Sequence, residues 1–275
     1  MIAQLVSVLT LAVAATPEDS MTPQRLEKML ADGDKEMIVQ VFRRNSDNVI
    51  SFVDQYLEGG LKLIETSQDT EGALKSFRTG IAFAKLADEA FPGKTYAEYA
   101  ASFASWSPTE QKQFREGQAA YKAGRMAADP TEALQNYRRA LRLAKGLNDL
   151  WGVAMSQAAI VHAELKLSNI DKADEIARQA VQSCAQLGLR LDNIRVYIAW
   201  GDATAASNSR GHGANHYHFA YQLLTDSDDP ELRQKIVDRW VDSLKKAGQP
   251  DAAEQIRKQY GVEPESAETK PPEPQ

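Results

Sequence analysis

The stretch "DPTEALQNYRRALRLAKGLND", residues 129–149, decides the fold. Its small and apolar side chains Ala133, Tyr137, Ala140, Leu141 and Ala144 fall at helical spacing on one stripe. Asp129 and Pro130 read as an N-cap and a first-turn proline, with Glu132 at the third helical position. The stretch contains no His, no Cys, no glycine-rich loop and no activated nucleophile, so the stripe calls for a packing explanation.

The rest of the chain supplies one. Ala133, Ala173, Gly213 and Ala253 are successively 40 residues apart, as are Ala140, Ala180 and Ala220. Ala120, Ile160, Trp200 and Trp240 keep the same spacing upstream. Parallel columns at one period mark a repeat array. Each unit reads as two helices: "WGVAMSQAAIVHAELKL" (151–167), a turn at Ser168–Ile170, then "DKADEIARQAVQSCAQLG" (171–188) closed by Gly188. Small residues in the columns let two antiparallel backbones approach, and larger neighbours fill the space between hairpins. An earlier copy, "EGALKSFRTGIAFAKLAD" (71–88), aligns Ala73, Phe77, Gly80 and Ile81 with Ala133, Tyr137, Ala140 and Leu141 at an offset of 60. The twenty residues beyond one period are "FPGKTYAEYAASFASWSPTE" (91–110), read as an inserted helix.

These units resemble tetratricopeptide repeats of the long variety, about 40 residues each. "EALQNYRRALRLA" (132–144) and "DKADEIARQAVQSC" (171–184) look like second helices of that motif, and "AGQPDAAEQIRKQY" (247–260) looks like a turn and the start of another. The likeness spans roughly residues 45–260. No unit carries the full first-helix set of that motif, and "SNSRGHGAN" (207–215) stands where a compact turn is expected. The resemblance implies an all-α fold, an α-solenoid: a right-handed superhelix of helical hairpins with an irregular N-terminal helical part. It also implies a concave surface, formed by the first helices, that takes a peptide or partner domain.

Outside the repeats, "MIAQLVSVLTLAVAA" (1–15) is uncharged and reads as a signal peptide, with small-residue cleavage sites before Thr16. The expected organisation is therefore a signal peptide (1–15), a helical repeat domain (16–261) and a Pro/Glu-rich disordered tail (262–275), in a periplasmic or extracellular protein. The net charge of −6, from 32 basic and 38 acidic side chains, is no footprint for nucleic acid. Membrane insertion of the mature chain is not expected, and the oligomeric state is open. Cys184 is the only cysteine, so no internal disulfide is possible, and its face with Ala177, Ala180 and Val181 marks it as a small hydrophobe.

Candidate chemistry is sparse. His212 and His216 stand four apart and could share a helix face toward a divalent metal, but no nearby Cys or acid completes a ligand set, and no metal or other cofactor is expected. Tyr96, Tyr99, Phe103 and Trp106 form an aromatic stripe on the inserted helix, explained by core packing or, alternatively, by a ligand pocket. "SWSPTE" (105–110) is a helix start with Ser107 and Glu110 as a capping box. The carboxylates Asp171 with Asp174, and Asp228 with Asp229, lie at helix starts, where they complement the helix dipole. No motif favours an enzyme. The function expected is an exported, non-enzymatic scaffold for protein–protein interaction, the alternative being a small-ligand or metal-binding helical protein. With the small columns as the inner contact, helical spacing places a partner-binding face along the first helices. That face comprises Arg115, Gln118 and Lys122; Met155, Ala158 and His162; Arg195, Ile198 and Asp202; and Lys235, Asp238 and Asp242. It is basic at one end and acidic at the other.

Overall fold

A computed structural model describes residues 21–206 and 213–261. The leader, the C-terminal tail and His212 lie outside the described residues. Within them the chain forms thirteen α-helices and no strand, and in the stretch from Pro108 to Tyr260 each hairpin packs on the next in chain order. Where the repeats read as one domain, the structure divides into two compact units between Ala97 and Glu98.

The first unit opens with two short helices, α1 (Pro23–Asp32) and α2 (Lys35–Arg44), and a 3-10 turn (Ser46–Asn48). Gly33 ends α1 with φ of 83°, a left-handed conformation that costs glycine little. The hairpin α3 (Val49–Ser67) and α4 (Thr70–Ala90) follows, and Asp69 caps α4 by accepting from the Gly72 amide at 2.9 Å. The helices touch where glycine faces bulk. A Cβ on Gly60 would stand 2.6 Å from Phe77 Cε1, and one on Gly80 would stand 3.1 Å from Tyr56 Cβ. Phe42, Phe52, Tyr56 and Phe83 complete the core through edge-on and tilted ring contacts.

The division falls inside α5 (Tyr96–Ala104), the inserted helix. The second unit continues with four hairpins: α6 (Pro108–Met126) with α7 (Pro130–Leu147), α8 (Leu150–Lys166) with α9 (Ile170–Gln186), α10 (Arg190–Ala206) with α11 (Gly213–Gln222), and α12 (Pro230–Lys246) with α13 (Pro250–Tyr260). The small columns are its inner contacts: Ala173, Ala180, Ala220 and Ala253 are each 0% exposed. Leucine at Ala173 would drive two backbones apart. The turns keep the period too. Asn148 and Gly188 adopt positive φ one repeat apart, and Ser168 and Gly248 do so two repeats apart. Ser107 and Glu110 form the expected capping box, with Glu110 Oε2 accepting from the Ser107 amide at 2.7 Å.

Polar groups also join the hairpins. Glu164, almost fully buried at the end of α8, accepts from Arg138 Nη2 at 2.5 Å and Asn169 Nδ2 at 2.7 Å. Arg190, at the start of α10, donates to both oxygens of Asp228, at 2.5 and 2.9 Å, and to the Leu223 carbonyl at 2.9 Å. This clamp holds the connection between α11 and α12. Asp228 is thus a structural acceptor, while Asp229 caps α12 through the Glu231 amide at 2.8 Å.

Candidate functional site

The face expected to bind a partner is only partly assembled. On α6, Arg115 donates to Gln118 Oε1 at 2.7 Å and its guanidinium lies 5.4 Å from the Phe114 ring centre; Lys122 is exposed. On α8, Met155 is half-buried and His162 exposed, whereas Ala158 is buried. On α10, Arg195 is exposed and donates to Asp192 at 3.0 Å. Ile198 is the correction. It is 8% exposed and packs in the core with Ala214, Tyr217 and Trp240, because α11 of its own hairpin and α12 of the next both close over it. On α12, Lys235, Asp238 and Asp242 are exposed, and Asp238 accepts from Gln234 Nε2 at 2.8 Å.

Two concavities of the second unit collect these residues. The first, about 260 Å³, draws its lining from α6, α7, α8 and α10. Tyr121 and Tyr137 form one wall, their ring centres 5.5 Å apart. Gly124, Ala133, Ala158, Ala159 and Ala163 make a floor of small residues. Arg125, Lys166, Arg195, Asp192 and His162 supply its charged and titratable groups. Of the expected face, Met155, Ala158, His162 and Arg195 meet here, while Arg115, Gln118 and Lys122 do not line it. Tyr121, Arg125 and Tyr137 were missed. Tyr137 reads from sequence as a core position, yet it is half-buried, its ring packed so close to α6 that a Cβ on Gly124 would stand 2.6 Å away.

The electrostatics of this pocket follow from its concavity. Water reaches His162, but the surrounding protein lowers its pKa, with Lys166 and Arg195 acting in the same direction against Asp202. The imidazole is therefore neutral at neutral pH. Burial raises the phenol pKa values of Tyr121 and Tyr137, which remain protonated donors.

The second concavity, about 360 Å³, is lined by Asp202, Tyr217, Arg239, Asp242, Ser243 and Lys246. Its central groups are engaged with one another. Asp202 accepts from Tyr217 Oη at 2.7 Å and forms an ion pair with Arg239. Burial and the adjacent carboxylate raise the Tyr217 pKa. The repeat explains why the two differ. Tyr137 and Tyr217 are 80 residues apart, and so are Ala159 and Arg239, which places the two concavities two repeats apart. Where Arg239 reaches Asp202, the first concavity has Ala159, which carries only a methyl group.

Other candidates resolve as packing. Tyr96, Tyr99, Phe103 and Trp106 are 1, 1, 2 and 6% exposed. Tyr96 contacts Phe91 within the first unit; in the second, Phe103 and Trp106 pack with ring centres 4.4 Å apart and Trp106 Nε1 donates to the Leu147 carbonyl at 3.0 Å. His216 stacks on Trp200 at 3.9 Å, and His218 meets Trp240 edge-on. Among the described residues no group of three or more His, Cys, Asp or Glu side chains could hold a metal ion. Burial pushes the Cys184 thiol up to about 12 and leaves it unreactive at neutral pH. Among the described residues no helix is long and apolar enough to cross a membrane.

No protein-family profile matches this chain, and no curated protein matches it. Among solved structures, the crystal structure of BtubC (BKLC) from P. vanneervenii matches at 14% identity and a TM-score of 0.46, over 92% of this chain and 100% of that chain. At that level of likeness nothing is transferred from it.

Proposed function

We propose that the second unit is a non-enzymatic interaction module of tetratricopeptide-like hairpins whose first concavity receives a partner protein. The observation that carries this reading is the convergence of side chains from α6, α7, α8 and α10 on one open pocket. Its size favours a side chain over a cofactor: about 260 Å³ falls below the roughly 300–1,000 Å³ of small-molecule sites. None of the lining residues forms a nucleophile–base pair of the kind covalent catalysis needs. The repeat columns support the tetratricopeptide-like type, and the uncharged leader at 1–15 supports export, so the partner belongs outside the cytoplasm.

The test is capture of partners by the full chain and by two charge-reversed forms. Arg125→Glu with Arg195→Glu alters the pocket; Arg139→Glu with Arg142→Glu alters the exposed face of α7. The reading expects loss of capture only in the first form. Equal loss in both, or in neither, removes the pocket from the binding surface.

A further inference from the structure

We infer that the first concavity accepts an acidic side chain of a linear peptide segment, set beside an apolar residue that rests on the alanine floor. This inference rests on the interaction-module reading and names the chemistry of its partner.

Charge supplies the first argument. Among the residues lining the pocket, Arg125, Lys166 and Arg195 outnumber one acid, Asp192, by two charges; Asp202, which acts on His162 from outside the lining, is paired with Arg239. Asp192 engages Arg195 at 3.0 Å, whereas Arg125 and Lys166 have no ion-pair partner among the described residues. Two cations flanking a concavity attract a carboxylate and repel a basic segment. The phenols of Tyr121 and Tyr137 add donors to the wall, and the small residues of the floor present only methyl groups and backbone. The pocket therefore offers cationic donors at its rim and an apolar seat at its base.

Magnitude argues against a polyanion. The whole chain carries a net charge of −6, which opposes an extended polyanion more than a short segment with one or two acids placed at the pocket. The second concavity offers no equivalent, because its arginine already holds Asp202.

The probe is an array of fluorescent peptides of equal length, each with one Trp, Phe or Leu flanked by Glu, Gln or Lys, titrated against the full chain. Expected is binding of the Glu series, weakened about tenfold by Arg125→Gln with Lys166→Gln and weakened again by added salt. Arg139→Gln with Arg142→Gln should leave it unchanged, and circular dichroism verifies that both forms are folded. Gln peptides that bind as well as Glu peptides, and lose binding in Ala159→Trp, leave the pocket as an interaction site but overturn its acidic preference. No peptide binding in any series overturns both. Phenylacetate binding as tightly as the best Glu peptide assigns the pocket to a free carboxylate and overturns the peptide claim.

Discussion

The two concavities of the second unit occupy related repeat positions yet use their charges differently. At the α10–α12 end, Arg239 reaches Asp202, Tyr217 donates to the same carboxylate, and Arg190 clamps Asp228. At the α6–α8 end, Arg125 and Lys166 line a pocket with no ion-pair partner among the described residues. One alanine-for-arginine difference two repeats apart, Ala159 against Arg239, accompanies the change. A repeat array thus yields a structural joint where the next hairpin supplies the opposite charge, and an open pocket where it supplies a small residue.

Removing a charge at each end should expose that asymmetry most strongly. Arg190 and Asp228 have side chains only 16% and 7% exposed, so Arg190→Ala should cost about 3 kcal/mol in urea unfolding, because it leaves a largely buried carboxylate without its cation. Arg125→Ala and Lys166→Ala should each cost less than about 0.5 kcal/mol. Similar losses in all three would erase the distinction. The same clamp sets an acid limit. Burial alone would raise the Asp228 pKa, but hydrogen bonds from Arg190 and Thr225 outweigh it and hold the carboxyl below its ordinary 3.8. This contribution is present above that value and is lost as pH falls through the lower folded pKa. Arg190→Ala should therefore flatten the stability–pH curve below about pH 4 relative to the parent; parallel curves would contradict the assignment.

A glycine substitution sharpens the comparison at intermediate cost. Gly124→Ala and Gly201→Ala each place a Cβ 2.6 Å from a tyrosine ring carbon, of Tyr137 and Tyr217 respectively. Overpacking, partly offset by better helix propensity, should leave a net loss of about 1–2 kcal/mol in each. Only Gly124→Ala should also weaken peptide binding, since Tyr137 walls the open pocket. Equal effects on binding would show that the two tyrosines play the same part.

At the engaged end the smallest effect belongs to Arg239→Ala. Both partners of its ion pair are more than a third exposed, at 37% and 38%, so water screens the loss and stability should fall by less than about 1 kcal/mol. A loss of several kcal/mol in urea unfolding would mean that this pair bears the packing of α10 on α12.

Much of the fold was legible because close helix contact demands small residues at a fixed period, as Ala173, Ala180 and Ala220 show. The division between Ala97 and Glu98 was not, since the aromatic insertion reads as one continuous apolar stripe. The site was half legible. Helical spacing put Met155, His162 and Arg195 on one face, and the pocket brings them together. It also put Ile198 there, although closure by α11 and α12 depends on side-chain volumes that spacing ignores. The engagement of Asp202 was hidden for a related reason. Its partner, Arg239, lies on another hairpin, and only the stacked geometry reveals that Asp202, one of the three acids at that end of the face, is neutralised.

The central claim is that Arg125 and Lys166 at one end of the second unit are open to a partner, while Arg190 and Arg239 at the other are engaged within the fold. Brief treatment of the native chain with phenylglyoxal, followed by peptide mass mapping, measures this directly. The account predicts that Arg125 is modified well before Arg190 and Arg239. Modification of all three at one rate, or protection of Arg125 in the absence of any partner, would contradict it.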